Sequence, residues 1–299
     1  VSLTGMFFNI PLDYALINGL WIFPELGIFG AALATVFSWL LIVLLYGLLI
    51  FDRHNIARYN LVAGRTFDRD LFTRLIKFGL PGSLQFSLDV FAFTFFVFMV
   101  GRLGPLELAI NNIVLSIESI VFMPALGFSI GLSTLTGQAL GRNRPDQAIT
   151  AMHQTIHILV GYIVILDVIL ILAPQWVLAL FLDAGLESAT PGLFALGIRL
   201  IRIMSLYLIF DGLYMVCIGL LKGAGDTRFI MYIIGSVSLV FMVIPIYIAV
   251  VYWGATITTC WWILTVYVIS LFASAWFRYH QGRWKSIRVI ETAAATVRP

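Results

Sequence analysis

Long stretches without a charged side chain dominate this chain. A membrane-crossing helix needs about 20 consecutive apolar residues, and charge-free windows supply them in series. Residues 1–20 are interrupted only by Asp13, and Leu26 to Phe51 carries no charge at all. Phe78 to Gly101 contains Asp89 alone; residues 107–138 hold Glu107 at the edge and Glu118 inside. Residues 147–173 contain Asp167, and 203–221 contain Asp211. From Phe229 to Phe277 there is no Asp, Glu, Lys or Arg, which is too long for one crossing; Trp253-Gly254 is the natural hairpin turn. The pattern predicts an all-α, polytopic integral membrane protein with eight transmembrane helices.

Two connections carry predicted structure of their own. Thr66 to Phe78 sets Phe67, Leu71, Leu75 and Phe78 on one face and Arg69, Arg74 and Lys77 elsewhere, as an interfacial helix would. Residues 187–200 are expected to form a similar short helix on the opposite side. In Lys222-Gly223-Ala224-Gly225-Asp226-Thr227-Arg228 the glycines can end one helix in a left-handed turn. Asp226 or Thr227 can then cap the next.

Composition agrees with the pattern. Hydrophobic residues are 61% of 299, charged residues 11%, and mean hydropathy is +1.01, whereas soluble domains are about 25% charged. Cys217 and Cys260 sit in apolar runs without a CxxC or a nearby His, so they are expected to be buried free thiols. Val1 opens directly in an apolar run, without Met or a charged lead-in, as a truncated chain would.

Charge sets orientation. If the end after the second span is cytoplasmic, fifteen of the 18 basic residues fall in inside loops: 52–77, 142–146, 222–228 and the tail from Arg278. Only Arg102, Arg199 and Arg202 lie on the other side. The net charge of +3 therefore reports insertion into the cell inner membrane with a cytoplasmic C-terminus, and excludes nucleic acid as the partner.

Five acids lie within spans: Asp13, Asp89, Glu118, Asp167 and Asp211. Ionisable groups there are expensive and mark pathways. No Lys or Arg shares a span with them, so each must be protonated, hydrated or neutralised by a bound cation. Helical spacing groups them with other oxygens. Asn9 and Asp13 are four apart around Pro11, and Gln85 and Asp89 are four apart. Tyr207, Asp211 and Tyr214 form a stripe, and Asn112, Ser116 and Ser119 another, with Asn111 and Glu118 beside it. Phe86, Phe91, Phe93, Phe95 and Phe96 around Asp89 could line a cavity for flat lipophilic cations, although most are expected to face lipid or helices. Asp167 has no polar residue at i±3 or i±4. His153 and His157 are expected at a solvated helix end. No phosphate loop, catalytic constellation or filter repeat is present, which argues against an enzyme, a nucleotide-driven pump and a channel.

Two features point to a larger whole. Ile10-Pro11 followed by Gly30-Ala31 is echoed by Ile244-Pro245 followed by Gly254-Ala255, as in a repeated bundle lacking four upstream spans. Gly27-Ile28-Phe29-Gly30-Ala31-Ala32-Leu33-Ala34-Thr35, Gly79-Leu80-Pro81, Phe122-Met123-Pro124, Gly137-Gln138-Ala139-Leu140-Gly141 and Gly223-Ala224-Gly225-Asp226-Thr227-Arg228 follow in order. From about residue 5 to 280 the chain resembles the multidrug and toxic compound extrusion (MATE) family.

That resemblance implies a twelve-helix fold of two lobes, with this chain supplying helices five to twelve. Residues 1–51 would be the last two helices of the N-terminal lobe and 52–78 the interlobe linker. Residues 79–280 would be the six-helix C-terminal lobe and 281–299 a cytoplasmic tail. It implies an antiporter exporting organic, often cationic, compounds in exchange for Na⁺ or H⁺, without a cofactor. Its partners would be small organic substrates, membrane lipid and the missing N-terminal helices. By match to the family, Asn9, Asp13 and Thr35 would hold a cation such as Na⁺; Asp89, Tyr207 and Asp211 would form a second coupling site. Gln85, Asn112, Glu118 and Tyr214 are added as cavity residues, Glu118 on its place within a span. A lipid-linked-oligosaccharide flippase is the alternative, disfavoured because such proteins need cationic groups in the cavity for pyrophosphate.

Overall fold

The computed structural model describes residues 1–20, 23–59, 67–181 and 192–287. Among them the regular structure is helical, without a strand. The long helices are α1 (Ser2–Asn18), α2 (Gly27–Ile50), α4 (Arg69–Gly101), α5 (Pro105–Gly141), α6 (Pro145–Leu172), α8 (Leu193–Gly223), α9 (Thr227–Tyr252) and α10 (Ile257–His280). Short helices α3 (Arg53–Tyr59) and α7 (Pro174–Ala179) fall between them. Seven are long and apolar enough to cross a membrane. The eighth predicted span, α1, has 17 residues, about 26 Å at 1.5 Å per residue, and falls just short of that length.

The chain divides into two compact units, Val1–Arg69 and Asp70–Pro299. In the first, α1 and α2 form an antiparallel pair. Apolar side chains gain little from leaving lipid for a neighbouring helix, so such pairs rely on close backbone approach through small residues. Gly30 sits against the Leu16 carbonyl and Gly5 against Ile42, where any Cβ would collide. Large side chains such as Ile28, Leu48 and Trp39 face outward.

In the second unit α8 is the central helix, packed by α5, α6, α7 and α10. The Gly219/Gly223 pair lets it close on α5: Cβ atoms there would run into the Ser129 and Ser133 carbonyls. Ser129 Oγ donates to the Met215 carbonyl at 2.7 Å across the same contact. Gly223→Ala is expected to destabilise the protein by about 1–3 kcal/mol through overpacking; thermal unfolding in detergent checks it, and an unchanged midpoint would show that the helices can separate freely.

Several local expectations change. Among the described residues, the helix predicted over Thr66 to Phe78 is not separate from the third span: α4 runs unbroken from Arg69 through Gly79 and Pro81. Pro81 removes one backbone donor from the ladder without opening it, and the flanking Gly79 and Gly82 stay helical; Thr66 lies outside the described residues. Likewise, of the short helix predicted over 187–200, residues 187–191 lie outside the described residues. Residues 193–200 are instead the first turns of α8, with no breaker after Gly192. The α9–α10 split falls at Trp253-Gly254 as predicted, Gly254 being left-handed at φ +57. Between α1 and α2, Gly19 (φ +66) ends α1 in the same left-handed way and Gly27 (φ +53) opens α2, whereas Gly30 lies inside α2. Gly225 (φ +83) makes the left-handed turn expected after α8. Asp226 stands at the N-cap of α9 but makes no side-chain cap bond; its carboxylate is taken by Arg278 of α10, a charged donor stronger than a backbone N–H. Cys217 and Cys260 are buried free thiols. His153 and His157 are exposed.

Candidate cation-coupling site

The helices of the second unit carry polar groups inward from five directions. On α4, Asp89 Oδ2 accepts from Gln85 Nε2 at 3.1 Å, the bond their four-residue spacing predicts. Asp89 Oδ1 lies 3.5 Å from Tyr267 Oη of α10, which also meets Ser238 Oγ of α9 at 3.1 Å. On α5, Glu118 Oε1 accepts from Tyr207 Oη of α8 at 2.8 Å. One turn further along α8, Asp211 lies within electrostatic reach of both Glu118 and Asp89. Tyr214 is within reach of Asp89, Tyr267 and Asp211, and its hydroxyl is enclosed without a hydrogen bond. Gln85 Oε1 is another enclosed, unpartnered oxygen.

Aromatic packing holds this arrangement in place. Trp261 of α10 is fully buried; its Nε1 donates to Asn111 Oδ1 at 3.1 Å. The Tyr207 ring lies 6.3 Å from Trp261, and Phe96 meets it edge-on at 6.1 Å. Of the phenylalanines near Asp89, Phe96 is buried at 0% exposure and stacks into this group, whereas Phe86, Phe91 and Phe93 are exposed.

Three carboxyl groups from three helices thus share one low-dielectric region. Charges of one sign in such surroundings repel strongly, and a cation placed among carboxyl, carboxamide and phenol oxygens relieves that repulsion. Such an arrangement is chemically able to hold a cation or protons on its acids.

One balancing charge was missed in the sequence, where Lys222 was placed in an inside loop. The structure corrects this: α8 continues to Gly223, so Lys222 lies in its last turn, and its ammonium acts on Asp89 without a direct ion pair. Tyr267 was also missed. It lies in a charge-free run among other aromatic residues, and only its amphipathic ring hinted at a polar role. Asn112, predicted as a cavity residue, is exposed with its carbonyl accepting from Ser116; its neighbour Asn111 is the buried one.

In the first unit Asp13 is half-buried on α1 and its Oδ1 is enclosed without a hydrogen bond. Asn9 lies one turn earlier and is partly buried. Thr35 of α2 is exposed, and its hydroxyl donates to the Ala31 carbonyl at 3.0 Å. No hydrogen bond joins these three side chains among the described residues. Their oxygens remain available as acceptors, the donor set a hard monovalent cation takes.

Span-length helices packed through glycines, with acids gathered between them, define a polytopic membrane protein. A family model described as MatE matches residues 81–248, and the chain belongs to the MatE family. Curated relatives include a probable multidrug resistance protein NorM of Rhizobium meliloti, 32% identical over 76% of this chain and 49% of the relative. The NorM of Brucella suis is 30% identical over 76% of this chain and 48% of the relative. That of Pseudomonas syringae pv. tomato is 27% identical over 98% of this chain and 63% of the relative. The chain therefore spans about half to two-thirds of the length of these relatives. Among solved structures, a MATE protein in the bent conformation superposes with a TM-score of 0.78 at 20% identity, covering 95% of this chain and 61% of that one. An outward-facing multidrug resistance MATE transporter gives 0.77 at 22% identity, over 96% and 62%. A transporter from Pyrococcus furiosus gives 0.78 at 21% identity, over 95% and 61%; its structure is described by a binding pocket of reverse polarity.

Proposed function

We propose that the intact protein of which this chain is part is a secondary antiporter of the inner membrane, exporting organic, often cationic, compounds in exchange for Na⁺ or H⁺. The observation that carries this reading is the gathering of Asp89, Glu118 and Asp211 from α4, α5 and α8, with tyrosine hydroxyls between them. An ion entering from outside neutralises these acids and favours one arrangement of the two lobes; a cationic compound competes for the same negative charge from inside. Asn9, Asp13 and Thr35 are proposed as a second ion site, supported by the unpartnered Asp13 oxygen. The distribution of Lys and Arg supports a cytoplasmic C-terminus.

The test is efflux of a cationic dye from proteoliposomes holding the intact protein, with inward Na⁺ and H⁺ gradients imposed separately. Dye movement driven by one gradient supports antiport and identifies the ion. Dye indifferent to both gradients overturns the reading. Lys222 beside Asp89 gives the lipid-linked-oligosaccharide flippase its one favourable observation, and that activity would be tested next.

A further inference from the structure

Asp167 stands apart from the acids described above. It lies on α6, 6% exposed, with Oδ1 enclosed and without a hydrogen bond. Its companion comes from the opposite helix. Gly212 of α8 lets Ile163 and Leu159 of α6 press against its backbone. Because α6 and α8 run antiparallel, two turns on from Leu159 stand level with two turns back from Gly212. Those positions are Asp167 and Ser205. Ser205 is 5% exposed, and its Oγ is likewise enclosed with no hydrogen bond. The hydroxyl lies against the Asp167 carboxyl, short of a bond.

Among the described residues, the buried side chains flanking the pair along both helices are apolar. Ile163 and Leu170 flank Asp167 on α6; Ile201, Met204 and Leu208 flank Ser205 on α8, all buried. The helices packed on α6 are α5, α7 and α8. From none of them does an acid, a histidine or a basic side chain act on Asp167; Ser205 is its one polar neighbour among the described residues.

Two enclosed oxygens in an apolar wall call for a small occupant. Hard metal ions bind through about six oxygens, and no metal-holding cluster of His, Cys, Asp or Glu occurs among the described residues. A proton needs one acceptor. We propose that Asp167 and Ser205 form a proton-binding site between α6 and α8, separate from the Asp89–Glu118–Asp211 region. A proton taken from water converts the carboxylate to the acid, whose O–H can donate to Ser205 Oγ, so that both orphaned oxygens are satisfied by one bond. When the proton returns to water, a carboxylate remains between apolar walls with the Ser205 hydroxyl as its one donor, which disfavours this packing of α6 on α8. Proton occupancy is thereby linked to the contact between two helices.

The test uses the intact protein in detergent, titrated from acid to alkaline pH. Bound protons are counted, and infrared difference spectra follow ¹³C-labelled Asp carboxyls. In Asp167→Asn one carboxylic-acid C=O band and one titrating proton should disappear. In Ser205→Ala, which leaves the acid in place, that band should persist at higher frequency, having lost its hydrogen-bond partner. An unchanged spectrum and proton count in Asp167→Asn would overturn the proposal. So would proton release on adding Na⁺ that Asp167→Asn abolishes, because the occupant would then be a metal ion. Neither readout depends on transport, so this site can fail while antiport stands, and the reverse.

Discussion

Asp211→Asn is expected to abolish gradient-driven efflux of a cationic dye from proteoliposomes while leaving the folded protein intact. Asp211 is the carboxyl that acts on both Glu118 and Asp89, so it is the group through which a bound cation would feel all three acids. Asn keeps its size and removes only the negative charge. Folding should survive because Asp211 makes no ion pair or hydrogen bond among the described residues that the change would orphan. An elution volume and unfolding temperature matching the wild type would establish this. Wild-type efflux in the variant would remove Asp211 from the mechanism. Asp13→Asn, made in parallel, is expected to lose efflux as well; normal export there would confine coupling to the second unit.

The largest stability effect is expected at Arg278. Its Nε donates to Asp226 Oδ2 at 2.7 Å and its Nη2 to Oδ1 at 3.2 Å, a two-pronged pair. The side chains are only 12% and 7% exposed. Phe229 lies under the guanidinium at 4.3 Å, and Nη1 reaches Gln281 Oε1 at 3.0 Å. The pair ties the α8–α9 turn to the last turn of α10. Removing one partner of a buried pair leaves the other charge without compensation, at about 3–5 kcal/mol, whereas replacing both is often nearly neutral. Arg278→Met should therefore lower the unfolding temperature markedly, and Arg278→Met with Asp226→Ala should recover most of the loss. Asp226 makes no cap bond that the second change would break. Equal stability of the single and double variants would show that the pair is screened by water and that α10 is held by apolar contacts alone.

Much of the fold was legible because lipid punishes exposed charge and unpaired backbone. Charge-free windows marked the helices, and Gly254 and Gly225 marked their turns. Window edges were less legible, since a helix does not stop where apolar residues do: α4 and α8 both continue through polar turns. Within the site, the Gln85–Asp89 bond followed from spacing along a single helix. The bonds that assemble the site could not be read that way. Tyr207 reaches Glu118 across 89 residues, and Tyr267 approaches Asp89 across 178.

The sequence by itself determined that this protein lives in a membrane, where its helices lie, and which side chains are too costly there to be accidental. Only the tertiary structure decided which of those side chains meet. In water, an apolar stripe reveals the packed face of a helix. In lipid, the packed and exposed faces are both apolar, so periodicity is nearly silent about rotation. Helix rotation is set instead by where small residues permit backbone contact, as Gly212, Gly219 and Gly223 do on α8. That rotation brings Tyr207 to Glu118, Ser205 to Asp167, and Lys222 within reach of Asp89.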